Sequence, residues 1–108
     1  MVVSAALDPV VRSLCSHLGV EEWYGAPCEV GEGRYTGRLS GPTPYGGLKA
    51  EVAAEVMQRR GVGPDACWAY ADHTTDLELL RSVGHAVAVN PKPGLAQAAR
   101  EAGWAILP

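Results

Sequence analysis

The stretch "YADHTTDLELL" carries two aspartates four residues apart, Asp72 and Asp76, directly after a short apolar run. Carboxylates at the end of a strand can hold a hard divalent cation through their oxygens, with water completing the shell. On the first turn of a following helix, Asp76 can point back at the same spot as Asp72. The same spacing also suits a plainer arrangement, in which Asp72 caps the helix and Asp76 offsets its positive end. Two other residues have types that bear on phosphate chemistry. Ser4, read as the end of a strand before a helix, can offer its hydroxyl and the next amides to a phosphate oxygen, or can be an ordinary strand-end serine. Lys49 opens a helix after a glycine-rich loop and is the only lysine before position 92. Taken singly, it also fits a solvated head on a buried stem. In chain order the series is strand-Ser, helix-start Lys, strand-Asp-x-x-x-Asp. Phosphoryl transfer needs such parts: a hydroxyl for an equatorial oxygen, a cation for developing charge, and carboxylates for magnesium. His73 lies among them, either as a solvent-facing turn residue or as a contact to phosphate or metal.

The elements that must position these residues follow from the apolar pattern. "MVVSA" reads as a buried strand. Asp8 and Pro9 read as a helix start, with Asp8 as cap, and Val10, Val11, Leu14, Cys15 and Leu18 share one helical face that Gly19 ends. "APCEVGEGRYTGRLSG" reads as a β-hairpin around a three-residue loop, Gly31-Glu32-Gly33. A helix is expected over Leu48 to Arg60, with Leu48, Val52, Val56 and Met57 as its apolar stripe. "ACWAYA" and "HAVAVN" are continuous apolar runs and read as buried strands, separated by a short helix from about Thr75 to Val83. Pro91 and Pro93 break the chain, then "GLAQAAREAG" is helical and "WAILP" forms a last strand. The order β-α-ββ-α-β-α-β-α-β predicts a single α/β domain over residues 1–108, with a mainly parallel sheet and a small hairpin.

Composition narrows the function classes. A formal charge of −3 and no basic run longer than Arg59-Arg60 argue against nucleic acid as partner. No apolar run approaches the ~20 residues needed to span a bilayer. Cys15, Cys28 and Cys67 are widely spaced and odd in number, without a Cys/His metal pattern, so they read as reduced thiols of a cytoplasmic protein. Phe is absent, which leaves Val, Leu, Ala and three Trp to fill the core.

The segments "VVSAALDPVV", "GRYTGRLSGPTPYGGLKAEV", "YADHTTDLELLRSVGHAVAVNP" and "AREAGWAIL" resemble the haloacid dehalogenase superfamily, most closely its phosphoserine-phosphatase-like subfamily IB hydrolases. The resemblance runs from Val2 to Leu107, with the motifs in the family's order. It implies a Rossmann-like three-layer fold and magnesium-dependent hydrolysis of a small phosphorylated substrate through an aspartyl-phosphate. Ser4 matches the second motif's phosphate-binding hydroxyl. Lys49 matches the third motif's lysine, which contacts phosphate and steadies negative charge at the reaction centre. Asp72 and Asp76 match the fourth motif's magnesium acids, the first as direct ligand and the second through water or by orienting the site.

The departures are as informative. The family's first motif is a D-x-D at the end of the central strand, supplying the nucleophile and the general acid/base. No D-x-D occurs in the 108 residues, and Asp8 does not replace it, because it follows Ser4 on the helix side of the second motif. Ala71 and His73 stand where the family often has Gly and a small residue. The expected structure is therefore an incomplete core without its first central strand and cap, inactive on its own. It would be the carboxyl-terminal part of a phosphatase completed by an amino-terminal chain, a core whose two halves pair directly, or a homodimer that closes its own sheet. The alternative function is a non-catalytic remnant that oligomerises or binds a partner.

Overall fold

A computed structural model describes all residues, Met1–Pro108. It is mixed α/β, with parallel strand pairs and one small antiparallel hairpin. The chain falls into two compact units, Met1–Tyr45 and Gly46–Pro108.

The first unit contains β1 (Val2–Leu7), α1 (Asp8–Leu18), β2 (Trp23–Ala26), β3 (Cys28–Gly31) and β4 (Arg34–Leu39). β1 runs parallel to β2, and β3 pairs antiparallel with β4. β2 is an element the hydrophobic pattern did not announce, because it is four residues long and interrupted by Gly25. That glycine lets the strand pass close to the β1–α1 junction: a Cβ there would lie 2.8 Å from Asp8 Cα. The hairpin loop is shorter than expected. Gly31 still pairs with Arg34, and Glu32 and Gly33 alone make the turn at φ 52° and 76°. Two successive positive φ values match the right-handed twist of the flanking strands.

Helix α1 begins directly after β1. Asp8 is its first residue rather than its side-chain cap, and Pro9 follows at a position that needs no N–H donor. Only Val11 and Cys15 of the expected apolar face are buried, whereas Val10, Leu14 and Leu18 lie on the solvent side. One helix face cannot cover five apolar positions against a two-stranded sheet.

The second unit contains α2 (Gly47–Arg60), β5 (Trp68–Ala71), α3 (Leu77–Arg81), β6 (His85–Val89), α4 (Pro93–Ala102) and β7 (Ala105–Leu107). Short 3-10 turns at Pro64–Ala66 and Thr74–Asp76 precede β5 and α3. The strands form one parallel sheet in the order β5-β6-β7. β6 is central, and Ala86, Val87 and Ala88 are buried, as its continuous apolar run predicts. β5 is an edge strand, which overturns its reading as fully buried: Ala69 is inside, but Trp68 and Tyr70 are exposed. Trp68 stacks on His85 across the pair, ring centroids 4.4 Å apart. Leu80 and Leu95 are fully buried and anchor α3 and α4 in the core. Pro93 opens α4 rather than breaking the chain before it. No helix is long and apolar enough to cross a membrane.

β1 and β5 each have a strand on one side only.

Candidate functional site

Three of the four candidate residues lie in the second unit. Strand β5 ends at Ala71, so Asp72 is the first residue beyond its carboxyl end. The Asp72 backbone is held in place, because its carbonyl accepts the Lys92 N–H at 3.0 Å from the loop after β6. Its carboxylate is exposed and makes no hydrogen bond or ion pair. Asp72 therefore does not cap the following turn. His73 does so instead: its Nδ1 accepts the Thr75 N–H at 3.2 Å. An imidazole nitrogen can take the place of the more usual Ser, Thr, Asp or Asn oxygen because an orphan amide needs only a lone pair.

Asp76 closes the turn and enters the core. It is the buried charged residue of the chain, at 7% exposure. Lys49, in the first turn of α2, places Nζ 2.8 Å from Asp76 Oδ1. The contact neutralises the carboxylate, yet Oδ1 receives no well-directed hydrogen bond. A buried carboxylate oxygen with charge compensation but unused lone pairs is open to a further electropositive group. Lys49 is itself in an unusual place for a cation, since the amino end of a helix is electropositive. Its pairing with Asp76 offsets that cost.

The pair Asp72 and Asp76 therefore divides into an outward carboxylate with no partner and an inward one tied to Lys49. This suits magnesium better than a metal that requires a full protein cage. Magnesium keeps several waters and takes one or two carboxylates plus substrate oxygens. No group of three or more His, Cys, Asp or Glu side chains is placed to hold an ion alone.

Ser4 belongs to the first unit. It is not the last residue of β1 but lies inside it, three residues before the strand ends at Leu7. The reason is local: Ser4 Oγ accepts the Ala6 N–H at 3.0 Å, and the register with β2 shifts between Val3 and Leu7. The strand is thus disrupted at Ser4 although it resumes before the helix. Its hydroxyl is engaged by the amide two residues on.

The sequence profile of haloacid dehalogenase-like hydrolases matches residues 1–81. The chain belongs to the haloacid dehalogenase-like hydrolase family. A probable phosphatase of Mycobacterium tuberculosis (strain ATCC 25618 / H37Rv) is 36% identical over 107 residues, which are 99% of this chain and 37% of that protein. The phosphoserine phosphatase SerB1 of the same strain is 35% identical over 104 residues, 96% of this chain and 34% of that protein. A solved structure of a protein of unknown function from Bordetella pertussis Tohama I superposes with a TM-score of 0.86 at 27% identity, covering 99% of this chain and 50% of that one. This haloacid dehalogenase-like chain thus spans little more than a third of the curated relatives it matches, at 37% and 34% of their lengths.

One close approach near Lys49 escaped the sequence reading. Gly47 and Glu78 meet at the start of α2, where the Glu78 carboxylate fills the space a Cβ on residue 47 would occupy. Nothing in the spacing of positions 47 and 78 signals the contact, because it joins two helices.

Proposed function

We propose that this chain supplies the phosphate- and magnesium-binding part of a haloacid dehalogenase-like phosphatase acting on a small phosphorylated substrate. The observation that carries the reading is the 2.8 Å Lys49–Asp76 pair, four residues on from the unpartnered Asp72, which lies just past the end of a parallel strand. Ligands of open α/β sheets bind at such strand ends. In this reading Ser4 binds the phosphate and Lys49 stabilises its negative charge. Asp72 and Asp76 hold magnesium, which neutralises charge on the phosphoryl oxygens when bound. Residues 1–108 are read here as one family core, a reading supported by a family match over residues 1–81 that includes parts of both units.

The chain contains no D-x-D, so the attacking carboxylate and the general acid/base are not among these residues. Nucleophilic catalysis needs a positioned carboxylate, which this reading leaves to a residue outside Lys49, Asp72 and Asp76. The expected result is magnesium and phosphate binding without turnover. Calorimetry with magnesium and inorganic phosphate tests the first part: heat seen with the chain and abolished in Asp72→Asn supports it, and no heat in either overturns it. Turnover of p-nitrophenyl phosphate by the chain alone, lost in Asp72→Asn, would overturn the second.

A second reading, a binding or oligomerising module, is favoured by the one-sided strands β1 and β5 and by exposed Trp68 and Tyr70 on β5. Open edges pair readily with another chain, either a second copy or an amino-terminal complement. A monomer by light scattering at micromolar concentration would count against it. In both readings the three free thiols, Cys15, Cys28 and Cys67, fit a cytoplasmic setting.

A further inference from the structure

We propose that Glu78 is a positioning residue for Lys49. Its carboxylate, seated on Gly47, holds the first turn of α2 so that Lys49 meets Asp76. The inference rests on reading Lys49–Asp76 as part of the site, and it adds the group that keeps the pair together.

Helix α2 starts without the usual aids. Gly46 precedes it and offers no side chain to cap the orphan amides, and no acidic residue lies in its first turn. The first turn instead carries Lys49, whose charge opposes the helix dipole. Left alone, that turn would be prone to fray. Two carboxylates from the following segment answer it. Asp76 binds Lys49 Nζ directly. Glu78, two residues further and in the first turn of α3, rests on Gly47. A Cβ at position 47 would fall 3.2 Å from Glu78 Cδ and closer still to Oε2. The missing side chain of Gly47 is therefore what makes the seat.

Glu78 is exposed and makes no hydrogen bond, so neither burial nor a directed bond dictates its place. What remains is its negative charge at the positive end of α2, beside the backbone that carries Lys49 two residues on. Asp76 and Glu78 thus act on one turn of α2 from one stretch of chain, the former on the side chain and the latter on the backbone.

The test is competitive labelling of the full chain with trace acetic anhydride, read by mass spectrometry. Lys92 is the only other lysine and is exposed, so it serves as internal reference. In the unsubstituted chain, Lys49 should be protected relative to Lys92. Glu78→Gln keeps the shape and removes the charge. It should raise the Lys49:Lys92 ratio about two- to fivefold, the range of a partly exposed charge contact, with the melting temperature unchanged. Gly47→Ala leaves the charge but blocks the seat, and it should raise the ratio similarly although Ala favours helix over Gly. Glu78→Asp, which keeps the charge, should restore most of the protection. If Glu78→Gln and Gly47→Ala both leave the ratio at its original value, Glu78 does not position Lys49. If Lys49 is unprotected from the outset, the Lys49–Asp76 pair itself fails, and the reading of the site fails with it. Neither outcome depends on catalysis.

Discussion

In the unit Gly46–Pro108, Leu80, Leu95, Ala88 and Ala99 are wholly removed from solvent, whereas the apolar core of Met1–Tyr45 consists of Val11, Cys15 and Ala26. Around that small core, Leu7, Val10, Leu14, Leu18, Val30 and Tyr35 remain about half exposed or more. The difference comes from sheet topology. β6 has a strand on each side, so its run of apolar residues is enclosed. β1 has a partner on one side only, and β3 and β4 pair only with each other. The lesson is that the charged pair Lys49–Asp76 stands in the better-packed unit. A partly buried ion pair needs fixed surroundings to recover its desolvation cost.

The contrast can be broken by experiment, beginning with the largest effect. Leu95→Ala should cost about 2–5 kcal/mol by urea denaturation, and Val11→Ala about half as much, because a smaller side chain leaves a smaller void. Equal costs would mean that the first unit is packed as tightly as the second. Lys49→Met should cost on the order of 3 kcal/mol by leaving Asp76 charged and unpaired, and adding Asp76→Leu should recover most of it. No recovery in the double variant would show that the pair contributes more than charge compensation.

Glycine at close approaches gives a matched test in both units. A Cβ at Gly25 or at Gly84 would meet backbone at 2.8 Å, from Asp8 Cα and Asp65 Cα respectively. Either change to Ala should cost about 1–3 kcal/mol, since backbone must shift. The second should cost more if its unit is the less yielding. Finally, Asp72→Asn should change stability by less than about 0.5 kcal/mol, since its carboxylate has no partner to lose. A larger loss would assign Asp72 a structural role that its exposed position does not suggest.

Much of this was legible in the chain. Continuous apolar runs located β5, β6 and β7, and breaker residues located the helix ends. The order of Ser4, Lys49, Asp72 and Asp76 pointed to the family that the match over residues 1–81 establishes. Burial was less legible. Trp68 and Tyr70 are as apolar as a core strand requires, yet they are exposed because β5 is an edge. Helix α1 carries a five-residue apolar face, and its pattern cannot say which part of it meets a sheet. The strand β2 was invisible because Gly25 interrupts its short run Trp23–Ala26.

The sequence by itself determined the types and order of the candidate residues and the elements that carry them, because strand and helix periods and turn chemistry act over a few neighbouring positions. Only the tertiary structure decided that Asp76 turns inward to Lys49 at 2.8 Å while Asp72 faces water, that His73 is the cap, and that Glu78 sits on Gly47. Those outcomes depend on how α2, α3 and the end of β5 pack. A side chain's partner is set by which elements meet in space, and local spacing carries no record of that.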